Sequence, residues 1–303
     1  MNKKNVLICS ICGCVLVAIA FIMATLSNCE DAPWWVGIVL FFLPLCSDFI
    51  WQTIKAHAFS KNWYESWRRI KGTGKCERVR ISFSYLFRIK IDDKYLLVKN
   101  SHGTELFQPV GGVYKYKNSA LKKLRKLGAI ADDGTVIKMD DTTKHDFRLR
   151  VEISKLPRFV RWFQKGKSRE TVRDLGREFS EELLDSNILP KAIFNYIEYT
   201  YIGQHISNIS PAKFDRNIYE LFIADIVEIN LSPEQYRALE GLQSHQHDDY
   251  CFVTEQMILS NKTQCGPDNN RIDIADHSYK ILEVTEAELE KRKYQKYAIN
   301  ISS

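Results

Sequence analysis

The sequence predicts an α+β domain preceded by a two-helix transmembrane hairpin. Three observations carry that reading. Two long apolar stretches open the chain, a strictly alternating segment follows near residue 80, and later strands and helices mix without a regular βαβ order. The 303 residues are 45% hydrophobic and 26% charged, with 8 cysteines and a formal net charge of +6. A chain of this length buries a full core without a disulfide or metal staple, and its apolar and aromatic content excludes global disorder.

Residues 6–26 (VLICSICGCVLVAIAFIMATL) form a run of 21 residues without a charge. A spanning helix needs about 20 apolar residues, so the run is long enough. A second span is expected at about 33–52, with Pro44 and Asp48 as its weak points and Trp34, Trp35 and Trp51 at its ends, where interfacial aromatics belong. A cleaved signal peptide would have a shorter apolar run followed by an A-x-A-like site, which is missing here. Lys3 and Lys4 precede the first span, Lys55, Lys61, Arg68, Arg69 and Lys71 follow the second, and the loop between them holds Glu30 and Asp31 without Lys or Arg. By the positive-inside rule both ends are cytoplasmic, a multi-pass membrane placement. Residues 1–55 carry three basic and three acidic residues, so the whole +6 belongs to the rest of the chain. Cys9, Cys12, Cys14 and Cys46 lie in the spans and Cys29 in the loop, while Cys76, Cys251 and Cys265 are scattered without zinc-site spacing.

Residues 56–77 mix aromatic and basic groups. They read as a juxtamembrane helix ending at Gly72, with Phe59, Trp63 and Trp67 on its apolar side, or as a plain linker helix. From Val79 to Ile91 every second residue is apolar, which predicts a strand. Asp92-Asp93 turns it into a hairpin with 95–99, and a short strand at 106–109 leads to Gly111-Gly112. A basic helix at 118–127, a strand at 147–153 and a helix at 157–165 follow. Residues 171–184 predict a helix with Thr171 and Asp174 as a capping box and Val172, Leu175, Phe179 and Leu183 as one apolar stripe. Strands are expected at about 192–202 and 218–229. A helix opens at Ser232-Pro233-Glu234-Gln235, and further helices are expected near 254–259 and 285–296.

The charged positions of the 171–184 helix read R177-E178-F179-S180-E181-E182. Glu178 and Glu182 stand one turn apart, where like charges destabilise a helix by a few tenths of a kcal/mol. Arg173 and Arg177 offset this in part. A divalent cation would offset it further, because magnesium prefers carboxylate oxygens; a solvated acidic face is the alternative. This segment resembles the R-E-(apolar)-x-E-E heart of the Nudix box, and F-Q-P-V-G-G at 107–112 resembles the strand and Gly-Gly turn leading into it. The resemblance implies a Nudix-like α/β/α sandwich with a mixed sheet over residues 78–303. It implies magnesium ligands at Glu178, Glu181 and Glu182, which would also be the catalytic set of a hydrolase of nucleoside diphosphate derivatives. Arg177 would brace them, and Gly111 and Gly112 would shape the turn. The chain departs from the box at Arg169, where the upstream glutamate belongs and Glu170 is one place off, and at Leu184 in place of glycine. An insertion of about 51 residues separates Gly112 from the box, at roughly 113–167.

Hairpin, Nudix-like domain and insertion together resemble the SMODS-associated NUDIX (S-NUDIX) effectors of bacterial CBASS antiphage systems. That resemblance implies a domain that binds a cyclic nucleotide made by a partner CD-NTase, with no cofactor needed for sensing and magnesium only for hydrolysis. It implies homo-oligomerisation on activation, disruption of the inner-membrane lipid bilayer, and no DNA or RNA partner. A membrane-anchored magnesium-dependent hydrolase is the alternative. The base would stack on an aromatic such as Tyr85, Phe87 or Tyr114, beside Gly111, Gly112 and Arg177. The loop H245-Q-H-D-D249 and the basic patch Lys122, Lys123, Arg125 and Lys126 read as solvated, and His205 falls in an expected loop without an evident partner.

Overall fold

The computed structural model describes residues 61–100, 105–132, 145–212, 215–244, 247–265, 270–290 and 294–301. Among them no helix is long and apolar enough to cross a membrane. The spans expected at 6–26 and 33–52 lie outside the described residues. The transmembrane hairpin and the multi-pass inner-membrane placement are therefore corrected to what is observed, a mixed α+β domain.

That domain begins with helix α1 (Lys61–Thr73). The aromatic face expected to meet lipid packs onto protein instead. Trp63 and Ile70 are buried, and Trp67 donates its indole N–H to Ile153 O at 2.7 Å. Ser66 accepts a bond from Ile209 N at 2.9 Å. Strand β1 (Arg78–Arg88) follows, then β2 (Lys90–Ile91), β3 (Lys94–Lys99), β4 (Leu106–Gln108) and β5 (Gly111–Val113). The insertion contributes α2 (Leu121–Lys126), β6 (Ala129–Ala131), β7 (Arg148–Glu152) and α3 (Leu156–Phe163). Next come α4 (Gly176–Phe179), prolonged by a π-turn at Ser180–Leu184, and α5 (Lys191–Phe194). The chain continues through β8 (Tyr196–Ile206), β9 (Ser210–Pro211), β10 (Tyr219–Asn230), α6 (Pro233–Gln243), β11 (Tyr250–Thr254) and α7 (Glu255–Ser260). It ends with β12 (Lys262–Cys265), β13 (Asn270–Ile274), 3-10 turns at Asp276–Ile281 and Glu283–Glu288, and β14 (Gln295–Asn300).

The principal sheet runs β14-β8-β10-β1-β7-β6, with β5 also on β1 and β9 on β10. It is mixed: β1 pairs with β10 in parallel and with β7 and β5 antiparallel. The second edge of β1 is shared, Arg78–Ser82 by β7 and Ser84–Leu86 by β5, so the insertion widens the sheet at one end. On one face, Phe83 stacks on Phe163 at 3.5 Å and Phe87 meets Phe179 at 5.6 Å, which seats α3 and α4. The other face is covered by a second sheet, β11-β3-β4-β13-β12 with β2 on β3, where the expected sandwich has helices. Leu86, Ala224, Ile226 and Ile202 of the principal sheet share one apolar core there with Leu97, Phe107, Val253, Ile281 and Leu289.

Burial on both faces also encloses the polar residues Arg80, Ser82 and Arg88 of β1. Arg80 is neutralised by Asp132 and Glu220, each at 2.7 Å. Arg88 is neutralised by Glu286 at 2.5 Å and Glu228 at 3.3 Å. The helix expected at 285–296 is a 3-10 turn followed by β14, because residues 295–300 complete the edge of β8.

A candidate glutamate site at the Gly-Gly turn

Box helix α4 docks through Phe179 and Leu183, both fully buried. Helix geometry then aims Glu178 and Glu182, one turn apart, at the start of β5, where the glycines expected to shape a turn are paired with β1 instead. Both glycines lie in close approach, Gly111 to backbone and Gly112 to a side chain. A Cβ on Gly111 would sit 2.2 Å from the Tyr85 carbonyl oxygen, and one on Gly112 would sit 2.2 Å from the Glu178 carboxylate. Gly111 N donates to Glu182 Oε2 at 3.0 Å. Burial pushes the Glu182 carboxyl up to about 8, against the pull of that bond. Burial also raises Glu178, with Arg177 opposing the shift.

Arg177 is the hub. It pairs with Glu178, lies 3.5 Å from Glu170 and 3.6 Å from Glu181, and donates to Val113 O at 3.3 Å. Burial works against its charge, but Glu178, Tyr85 and Glu170 raise it overall. Glu170 is held in turn by Lys115 N at 2.8 Å. Its part was hidden by the one-residue offset from the box. Ser168 takes a left-handed conformation (φ 62°). Arg169 turns inward, its guanidinium 3.7 Å from the Phe163 ring centroid and 4.9 Å from that of Tyr114. Glu170, the next residue, then faces Arg177. The box spacing already carried this signal, read with one residue of tolerance.

The structure therefore gathers Gly111, Gly112, Arg177, Glu178 and Glu182, with Glu181 at the exposed rim. It does not gather a magnesium set. Among the described residues no three Asp, Glu, His or Cys side chains come together in a way that could hold a metal ion. Glu178 is paired with Arg177, and Glu182 faces a backbone N–H. The carboxylates present do not fit the ion in this arrangement.

The three aromatics named as stacking platforms are core residues. Tyr85, Phe87 and Tyr114 are buried and pack on one another, with ring centroids 5.9 Å and 5.0 Å from Tyr85. No ring face is open to a base. Tyr114 donates to Asp225 Oδ2 at 2.7 Å, and Asp225 also accepts from Tyr201 at 3.1 Å and Gln204 at 2.7 Å. That enclosed network had no sequence signal, because it joins β8, β10 and the residue that follows β5, far apart in the chain. The Tyr85 hydroxyl is buried without a hydrogen-bond partner among the described residues, and its strongest charged neighbour is Glu178.

His205 lies on β8 rather than in a loop. Of the H-Q-H-D-D loop, His247 and Asp249 form an exposed pair at 3.4 Å; His245 lies outside the described residues.

A family model described as the SMODS-associated NUDIX domain matches residues 78–282, which contain the glutamate site and both sheets except β14. No curated protein matches the chain.

Proposed function

The chain belongs to the SMODS-associated NUDIX domain family, and from that membership we propose that its Nudix-like domain is the nucleotide-binding part of a CBASS antiphage effector. The ligand is a cyclic nucleotide supplied by a partner CD-NTase, and its binding drives self-association. One observation supports a binder over a hydrolase: Arg177 ties up Glu170, Glu178 and Glu181, and Glu182 is turned onto Gly111 N. Glu182 thereby holds the first residue of β5, while Glu178 and Glu181 are engaged by Arg177. The net charge of +6 favours a polyanionic ligand and makes its capture salt-sensitive.

Thermal unfolding of the full chain with cyclic di- and trinucleotides tests this reading. A ligand at 100 times its Kd adds about 2.7 kcal/mol of stability, and sedimentation in the same samples reads self-association. No shift with any of them would remove the sensing reading. Retention of all three box glutamates favours a second reading, a hydrolase of nucleoside diphosphate derivatives. Turnover in magnesium that disappears in Glu178→Gln would establish that reading instead.

A further inference from the structure

The glutamate site uses one face of the principal sheet. A second polar cluster lies on the other. Phe222 of β10 pairs with Ser82 of β1, and two positions on, Ala224 pairs with His205 of β8. The 3-10 turn Asp276–Ile281 lies against this face, with Ile281 in the core beside Ala224. Side chains three apart eclipse in a 3-10 turn. Ser278 and Ile281 take the inward side and are fully buried. His277 and Lys280 therefore leave together on another side.

Lys280 Nζ lies 5.8 Å from the centre of the Phe222 ring. The His205 Nε2–H donates to Lys280 O at 3.1 Å, since a carbonyl only accepts, and this fixes the turn over the sheet. Tyr279, 39% exposed, stands 6.2 Å from His205. Burial lowers Lys280 to about 8 and both His205 and His277 to about 4. Lys280 and His277 are half-buried and His205 is buried, so at neutral pH the cluster holds one ammonium and two uncharged imidazoles. Its acidic neighbours in sequence are engaged elsewhere: Glu283 pairs with Lys90 at 2.8 Å, and Asp276, exposed, accepts from Asn261 at 3.0 Å.

The fold neutralises Arg80, Arg88 and Arg177 with carboxylates. Among the described residues no carboxylate pairs with Lys280, whose ammonium meets only desolvation. A half-buried ammonium that no carboxylate meets is open to an anion from solvent. We propose that Lys280, with His277 beside it and Phe222 beneath it, binds a phosphate group on the face of the sheet opposite the glutamate site. A lysine ammonium serves a phosphate as a point charge, a neutral imidazole adds an N–H donor, and the rings of Phe222 and Tyr279 suit the organic part of a phosphate ester. The site does not depend on the box glutamates.

The test is calorimetric titration of the full chain with inorganic phosphate and, separately, with cyclic dinucleotides, using Lys280→Met and Lys280→Arg. Phosphate is expected to bind the wild type. Lys280→Met should bind it roughly ten- to a hundredfold more weakly, the worth of one charged hydrogen bond, while Lys280→Arg should stay close to wild type. No phosphate binding, or equal binding by Lys280→Met, overturns the site. Cyclic-nucleotide binding that Lys280→Met leaves untouched, with phosphate not bound, overturns the site and spares the sensing reading. Phosphate binding lost in Lys280→Met, with no cyclic nucleotide bound by the wild type, upholds the site and removes that reading. Should Lys280→Met melt early, acetylation of Lys280 in the wild type serves instead: phosphate should protect it, and absence of protection overturns the site.

Discussion

At the scale of single residues, the two glycines that open β5 do different work. Gly111 faces backbone, the Tyr85 carbonyl oxygen, and Gly112 faces the end of a side chain, the Glu178 carboxylate. A carbonyl in a paired strand cannot yield, whereas a carboxylate can rotate away. Gly111→Ala is therefore expected to cost about 1–3 kcal/mol or more, and Gly112→Ala less, with much of the latter recovered in Gly112→Ala/Glu178→Ala. Urea midpoints check the order; equal losses from the two single variants would contradict it. Glu182 gives a pH signature. Its folded value of about 8 stands above the ordinary 4.5, so between them the folded chain holds a proton that the unfolded chain has lost. Stability then falls as pH rises through that window, by up to about 1.4 kcal/mol per pH unit, and levels off above it. Glu182→Gln keeps an acceptor for Gly111 N and cannot ionise, so its stability should lack this slope and exceed wild type at the alkaline end. Parallel curves for the two proteins would show that Glu182 is ionised in the fold.

At the scale of elements, helix α6 is fixed by a capping box. Ser232 Oγ accepts from Gln235 N at 3.2 Å, and Gln235 Oε1 accepts from Ser232 N at 3.0 Å. Gln235 also donates to Ile193 O at 3.2 Å and Tyr196 O at 2.8 Å, tying α6 to the end of α5 and the start of β8. Ser232→Ala should cost about 1 kcal/mol. Gln235→Ala should cost about 2 kcal/mol or more, because it strands two carbonyls as well; chemical denaturation that ranks them the other way would refute the tie. This helix was legible in the sequence because its signal is local, as was β1, whose alternation spans the whole strand. The box helix was legible only in part. Thr171 and Asp174 do bond to each other, at 3.1 Å between side chains, but they close a turn, and the helix starts at Gly176. Tyr199 from β8 reaches in to hold Val172 O at 2.8 Å, a long-range contact that a stripe of apolar residues does not encode. The second sheet was legible in part: the Asp92-Asp93 hairpin with 95–99 and the strand at 106–109 are its β2, β3 and β4, whereas β11, β12 and β13 had no clear signal. Its strands have two to six residues, too few for a period to emerge, and β13 pairs with β4 from more than a hundred residues away. The site followed the same rule. The Gly-Gly pair and the glutamates were written in adjacent residues, whereas the inward turn of Arg169 and the Asp225 network depend on contacts between distant strands.

At the scale of the whole domain, the matched family segment stops at residue 282, but the fold does not. Arg88, fully buried in β1, donates to Ile281 O at 2.5 Å and Leu282 O at 3.2 Å, and its closest carboxylate is Glu286, beyond that boundary. Leu289 belongs to the core between the two sheets and lies over Gly203, where a Cβ would come within 2.9 Å of it. β14 then covers β8 along Tyr196–Tyr201, and Ile301 N bonds Asn195 O at 2.7 Å. A chain ending at Leu282 loses all of these at once. It leaves an enclosed arginine short of its main counter-charge, a loss of about 3–5 kcal/mol for a buried pair, a cavity where Leu289 was, and an open strand edge that invites association. That chain should lose its cooperative thermal transition and aggregate. A chain ending at Glu290 keeps Glu286 and Leu289 and lacks only β14, so it should remain folded, with faster hydrogen exchange along β8. If the shorter chain melted within about 1 kcal/mol of the full one, the tail would be an accessory, and the segment shared with the family would be a sufficient folding unit. The expected ordering places the Arg88–Glu286 pair and Leu289, rather than the terminal strand, as the contacts that complete the domain.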